Sequence, residues 1–303
     1  MNSILIIKLI LIISSLISVA FITLVERKIL SYIHYRKGPN KLALIGILQP
    51  IADAIKLFTK MKLFLNFSNM ILYFFSPILA LTLMLFLWSS IHFNNFSNFT
   101  MDYEMIFILM ISSMNIYTII FAGWSSNSKY AILGSYRGIA QSISYEVSFS
   151  FIIISIFIFS NNLNFNNFYF IQILFFLISF MPVFFLWFMT ILAETNRTPF
   201  DLTEGESELV SGFNIEFGGV EFAIIFMAEY GNILFMSLLT SILFLGGNSI
   251  FLMIKIMIFS ILFLIIRGTL VRMRYDKLMF LSWKSILPNS IFFLIFFFMI
   301  FYY

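Results

Sequence analysis

"MILYFFSPILALTLMLFLWSSI", residues 70–91, contains one proline and no charged residue. A helix needs about 20 predominantly apolar residues to cross the hydrocarbon core of a bilayer. This stretch has that length and that composition, so it reads as a membrane-spanning helix. Similar runs recur at roughly 3–25, 104–124, 140–160, 168–192, 221–245, 249–267 and 285–303, which brings the expected number of spans to eight. Only 11% of the residues are charged and 61% are hydrophobic. An ordinary soluble domain carries about 25% charged residues, so this chain has too little polar surface to cover a globule in water. The expected fold class is all-α: a polytopic membrane helix bundle of about eight transmembrane helices, with charged loops on one side and an amphipathic surface helix. No repeat or soluble segment divides it, so residues 1–303 read as one transmembrane domain.

The connectors set the expected orientation. Spans four and five are joined by the uncharged "NNLNFNNF", and span six ends at "LGGNS". Residues 27–62 carry Arg27, Lys28, Arg36, Lys37, Lys41, Lys56, Lys60 and Lys62 against Asp53. The connector between spans seven and eight carries Arg267, Arg272, Arg274, Lys277 and Lys284. Basic loops stay on the cytoplasmic side, or on its mitochondrial equivalent, the matrix side, so both termini are expected on the opposite face. Residues 3–25 are too long for a signal core and run into "ERK" without a small-residue cleavage pattern. The chain has no cysteine, which excludes disulfides, thiolate zinc sites and cysteine-ligated iron–sulfur clusters. Abundant Phe, Ile, Asn, Met and Tyr resemble the output of an A+T-rich organellar genome.

The acids are distributed unevenly. Glu194, Asp201, Glu204, Glu206, Glu208 and Glu216 lie in or just before "RTPFDLTEGESELVSGFNIEF" (197–217), against Arg197 alone, while the whole chain holds 14 acidic residues. Thr203 and Glu206 have the spacing of a helix capping box. If 201–209 is helical, Asp201, Glu204 and Glu208 share one face. Like charges at that spacing repel and burial adds to the cost, so at least one is expected to hold a proton near neutral pH. The alternative is a solvated acidic loop. A carboxylate at mid-bilayer costs roughly 2.5–3.5 kcal/mol on insertion scales. Glu229, about eight residues into span six, therefore reads as a proton-exchanging group or as a structural hydrogen-bonding one. Glu146, a turn or two into span four, reads as the same kind of group or as a helix end near headgroups.

In "LQPIADAIKLFTKMKLF", Asp53, Lys56 and Lys60 fall on one helical face, while Ile51, Ile55 and Phe58 lie elsewhere around it. This is a short helix at the membrane surface. It serves either as an interfacial anchor, with Asp53 paired to Lys56, or as a lip around an entrance for a lipid-soluble substrate. Arg27, Arg36, Arg272 and Arg274 are anchoring cations or partners of carboxylates. The planar guanidinium favours the second role, and Arg274 is expected to pair with an acidic loop of this chain or a neighbour. His34 and His92 lie on opposite sides, so they cannot share a haem iron. "GSYRG" lacks the full glycine pattern of a dinucleotide site. A secondary transporter would often show two related halves, and none is visible.

Several loops carry a family resemblance. "VERKILSYIHYRKGPNKLALIGILQPIADAIKLFTK", "GWSSNSKYAILGSYRGIAQSISYEV" (123–147), "ETNRTPFDLTEGESELVSGFNIEF" (194–217), "FMAEYGNI" (226–233) and "RMRYDKLMFLSWKSILP" (272–288) resemble, in order, the inner loops and helix ends of the chain 1 family of respiratory complex I, NADH:ubiquinone oxidoreductase. The sequence departs from the family pattern at His34, Glu221 and Val271. The resemblance implies a core membrane subunit of a redox-driven proton pump in the mitochondrial inner membrane, multi-pass, active only as part of the NADH:ubiquinone reductase. It implies partners among the membrane-arm and peripheral-arm subunits, which hold the flavin and clusters. It also implies ubiquinone as the bound substrate, membrane lipids such as cardiolipin as neighbours, and no nucleic acid. It assigns Glu146, Glu194, Asp201, Glu204, Glu206, Glu208 and Glu229 to a proton pathway, with the cluster at 201–208 sharing protons and Arg197 limiting its repulsion. Arg27, Arg36, Asp53, Phe58, Arg197, Glu216 and Arg274 are assigned to the quinone chamber or its rim.

Overall fold

A computed structural model describes residues 2–61, 68–91, 103–160, 163–165, 176–203, 205, 212–246 and 249–302, and among these there are helices and connecting turns but no strand. The helices are α1 (Asn2–Ile33), α2 (Gln49–Thr59), α3 (Met70–Ser89), α4 (Glu104–Ser125), α5 (Lys129–Phe157), α6 (Phe176–Ser179), α7 (Met181–Glu194), α8 (Gly219–Leu245), α9 (Ser249–Thr269), α10 (Tyr275–Leu281) and α11 (Leu287–Tyr302). A wider turn at Ser282–Ile286 joins α10 to α11, so these two read as one bent span. Among the described residues, seven helices are long and apolar enough to cross a membrane, and α7 is a shorter apolar helix. Of the expected span 168–192, only the part from 176 onward is described, as α6 and α7.

Helices dominate because an apolar solvent offers the backbone no other partner: every N–H and C=O must be satisfied within the segment. The buried hydroxyls follow the same rule. Ser76, Ser112, Ser148, Ser155, Ser237 and Ser241 each donate to the carbonyl three residues earlier, so none needs a neighbouring helix. Two helices, α5 and α8, are the most enclosed, while α1 and the α10–α11 span are the most exposed along their length. The α8 helix packs against α1, α2, α3 and α9, and α5 packs against α4, α7 and α11. Tyr145, Phe149, Trp187, Phe200, Phe235 and Phe244 are fully buried between them.

The fourth span differs from expectation. Its helix begins at Lys129 instead of about residue 140. The added turns are polar in sequence because their buried face meets protein rather than lipid. Gly134 lies against the backbone of Gly212, and Gln141 donates to the carbonyls of Ala193 and Phe200 at 2.9 and 2.8 Å. Glu146 consequently sits past the middle of α5, not near its start.

Candidate functional site

The site is built where α1, α2, α8 and α9 meet beside the segment that follows α7. Asn196 turns the chain in a left-handed conformation, φ 49°, which asparagine tolerates better than most residues. The chain then folds back under α5. Phe200 N–H donates to the Arg197 carbonyl at 2.8 Å, Met273 N–H to the Pro199 carbonyl at 3.0 Å, and the Tyr73 hydroxyl to the Glu216 carbonyl at 2.7 Å. Tyr73 also stacks flat on Phe217, with centroids 4.4 Å apart. With the Gln141 bonds from α5, these contacts tie the segment to α3, α5 and the connector before α10.

Two cavities lie on either side of α8. The larger, about 360 Å³, lies between α1, α2, α8 and α9. Its wall is graded. Leu16, Val19, Ala20, Leu57, Phe222, Phe226 and Met227 give apolar surface, whereas Glu26, Arg27, Asp53, Tyr230 and Arg267 give polar surface. The charges come in pairs. Arg27 Nη1 meets Asp53 Oδ2 at 2.7 Å, and Gln49 Nε2 donates to the other carboxylate oxygen at 3.1 Å. Arg267 Nη1 binds Glu26 Oε1, tying α9 to α1. Glu26 is buried, yet its Oε2 has no hydrogen-bond partner.

The smaller cavity, about 80 Å³, lies between α3, α4, α5, α8 and the segment after α7. Glu194, Asn196, Thr203, Glu229 and Asn232 all line it. Glu194 Oε2, Asn196 Oδ1, Thr203 Oγ1 and Asn232 Oδ1 are buried without a hydrogen-bond partner. Each such atom costs about 1–3 kcal/mol if left unsatisfied. Four of them converging on one space of this size describe a chamber suited to water, which needs two to four polar partners. Arg197 separates the cavities. It is buried, its Nη2 lies 3.4 Å from Glu229 Oε2, and its guanidinium sits 4.6 Å from the centre of the Tyr230 ring.

The residues singled out from the sequence fall into three groups. Arg27, Asp53 and Phe58 line the larger cavity, and Glu194 and Glu229 line the smaller one. Arg197 joins the two through Glu229, and Glu146 is half-buried and close enough for its charge to act on Glu194. The other described residues line neither cavity. Arg36 is exposed on the turn after α1, Asp201 and Glu216 are half-buried, and Glu204, Glu206 and Glu208 lie outside the described residues, as do Lys62 and His92. One pairing differs from expectation: Asp53 pairs with Arg27 rather than Lys56, because α2 turns its acidic face towards α1. Arg274 meets Asp276 two residues on, at 2.9 Å, with both side chains mostly exposed, while the acidic residues expected near it lie largely outside the described residues. Neither a start of helix at 201–203 nor a capping bond from Thr203 is present.

Sequence reasoning passed over Glu26, Tyr230 and Arg267, which form the polar wall of the larger cavity, and over Glu104. Glu104 is buried at the start of α4, where its Oε2 accepts from Phe165 N–H at 2.9 Å. Glu26 and Arg267 read as span-end charges, and Tyr230 reads as one more aromatic among many. A carboxylate next to a span, opposite in sign to its neighbours, was the available signal for Glu26.

The family described as NADH dehydrogenase matches residues 6–298. NADH-ubiquinone oxidoreductase chain 1 of Aedes aegypti is 51% identical over 293 residues, covering 96% of this chain and 93% of that protein. The proteins of the same name from Rhipicephalus sanguineus and Locusta migratoria are 52% and 51% identical, covering 94% and 95% of this chain and 91% and 93% of their own lengths. The chain belongs to the NADH dehydrogenase family.

Proposed function

We propose that this member of the NADH dehydrogenase family is a core membrane subunit of the proton-pumping NADH:ubiquinone oxidoreductase, in which it walls the quinone chamber and starts the proton pathway. The observation that carries this reading is the pairing of the two cavities across α8. The larger matches an amphiphile with an isoprenoid tail: apolar surface for the tail, and Arg27 and Arg267 as donors towards a quinone's oxygens. Its volume also falls in the range of small-molecule sites, about 300–1,000 Å³. The smaller gathers unpartnered polar atoms and two carboxylates among apolar neighbours, as a proton relay through water requires. Electrons would come from NADH through flavin and clusters in peripheral-arm partners, since this chain has no cysteine to ligate a cluster.

Reduction of the quinone by two electrons calls for two protons, or leaves negative charge in the chamber. On this reading Glu229 and Glu194 exchange protons across the smaller cavity, and Glu146 extends the path along α5. Asp201, Glu204, Glu206 and Glu208 form its proton-sharing reservoir, Phe58 and Arg36 belong to the entrance side, and Glu216 and Arg274 to the rim that meets partner subunits. The setting is the mitochondrial inner membrane, with both termini on the intermembrane-space side and with lipids such as cardiolipin against the basic inner loops.

A photoreactive quinone analogue tests the chamber in the assembled enzyme. Label is expected within residues 16–30, 50–58 and 222–230 and should be suppressed by excess quinone. Label confined to the loops between spans four and five would overturn the assignment.

A further inference from the structure

Tyr230 lines the larger cavity. The carboxylate of Glu26 lines the same cavity, where it is held by Arg267 through Oε1 and leaves Oε2 without a partner. The Tyr230 ring faces the Arg197 guanidinium, and Arg197 is in turn paired with Glu229 at the edge of the smaller cavity. The neighbours in order are therefore Arg267 and Glu26 as an ion pair, Tyr230 on the same cavity wall, then Arg197 and Glu229 as a second ion pair.

We propose that Tyr230 is a positioning residue that transmits the charge state of the quinone chamber to Glu229. The proposal rests on the reading of the two cavities given above and adds the physical connection between them. The connection has two discrete arrangements. While Arg267 neutralises Glu26, the spare carboxylate oxygen is a moderate acceptor for the phenol. Negative charge arising on a reduced quinone competes for Arg267. Glu26, less neutralised, then becomes a stronger acceptor, and the Tyr230 hydroxyl is drawn onto Oε2. The ring moves with its hydroxyl, because the aromatic side chain is rigid beyond its second dihedral.

Arg197 responds for two reasons. A guanidinium over an aromatic face is held by the ring's quadrupole, so it follows the ring. The Arg197–Glu229 contact, at 3.4 Å, is longer than the roughly 2.7–2.9 Å of a tight charge-assisted bond, so it has room to close or open. Changing the distance of a cation from a carboxylate changes how readily that carboxylate takes or releases a proton. A charge change on one side of α8 is thereby read on the other without any proton or electron passing through Tyr230.

The test is a double-mutant cycle in the assembled enzyme with Tyr230→Phe, Glu229→Gln and the two together, with turnover expressed per flavin so that changes in enzyme content drop out. Tyr230→Phe keeps the ring under Arg197 and removes only the hydroxyl. The expected result is a fall in kcat of about fivefold or more, the lower end of ordinary coupling between sites, with the KM for quinone within about twofold. The double variant should be no slower than the slower single variant, because both act along one path. If the double variant falls by the product of the two single effects, Tyr230 acts on its own and the proposal is overturned. Wild-type kcat in Tyr230→Phe beside a slow Glu229→Gln overturns the proposal and leaves the relay standing. Wild-type kcat in Glu229→Gln overturns the relay itself, and this inference with it.

Discussion

Glu26 and Arg27 are neighbours on α1, but successive residues of a helix point about 100° apart. Each therefore pairs with a different element: Glu26 with Arg267 on α9, Arg27 with Asp53 on α2. The two ion pairs differ in burial. The Glu26 and Arg267 side chains are 7% and 32% exposed, those of Arg27 and Asp53 48% and 33%. Losing one partner of a fully buried pair costs about 3–5 kcal/mol, and the partial exposure of Arg267 reduces that to about 2–3 kcal/mol for Glu26→Gln. An exposed pair contributes about 0–1 kcal/mol, which is the expected cost of Arg27→Gln. At roughly 1.4 kcal/mol per factor of ten, these costs correspond to about 30–140-fold and less than about fivefold in a local opening equilibrium.

Backbone hydrogen exchange in the assembled, detergent-solubilised enzyme reads that equilibrium directly. Glu26→Gln should speed exchange over residues 259–269 of α9 by the larger factor, while Arg27→Gln should loosen only 49–59, by the smaller one. Equal loosening by both variants would show that burial does not rank these pairs. Unchanged exchange in Glu26→Gln would show that α9 is held to α1 by apolar packing alone.

Two glycines give a second contrast. A Cβ at Gly134 would meet the Gly212 Cα at 2.9 Å and the Phe213 nitrogen at 3.1 Å, so Gly134→Ala must push backbone and should cost about 1–3 kcal/mol, read as a lower thermal inactivation temperature and slower turnover. The atoms nearest a Cβ at Gly231 belong to the Met84 side chain, which can change rotamer where backbone cannot, so Gly231→Ala should be the milder change in both assays, and the reverse order would refute the packing argument. The Arg274–Asp276 pair, with side chains 78% and 69% exposed, contributes at most about 1 kcal/mol by itself. As part of the rim that meets partner subunits, Arg274→Ala should lower the content of assembled enzyme, and wild-type assembly and turnover would take Arg274 off that rim.

How much of this could be read from the sequence depends on what each residue packs against. Runs such as 70–91 face lipid on one side and a helix on the other, so composition alone located them. The start of α5 was missed because its buried face meets the protein backbone at Gly212 and Ala193 rather than lipid, and such a face can be rich in Ser, Gly and Gln without cost. Glu194 and Glu229 were legible because a carboxylate among apolar neighbours is conspicuous.

The partners of the charges were not legible. Arg197 is 32 residues from Glu229, Arg267 is 241 from Glu26, and only the crossing of α1, α8 and α9 selects these pairings over the nearer alternatives, such as Lys56 for Asp53. The most consequential side chain is the least conspicuous in sequence. Among 13 tyrosines and 42 phenylalanines, Tyr230 is distinguished only by position: one residue after Glu229, it turns its ring to Arg197 and lines the larger cavity with Glu26. The same 100° step that sends Glu26 and Arg27 to different helices sends Glu229 and Tyr230 into different cavities. Adjacent residues on a buried helix can thus line two compartments at once, and α8 separates the larger cavity from the smaller one while carrying residues of both walls.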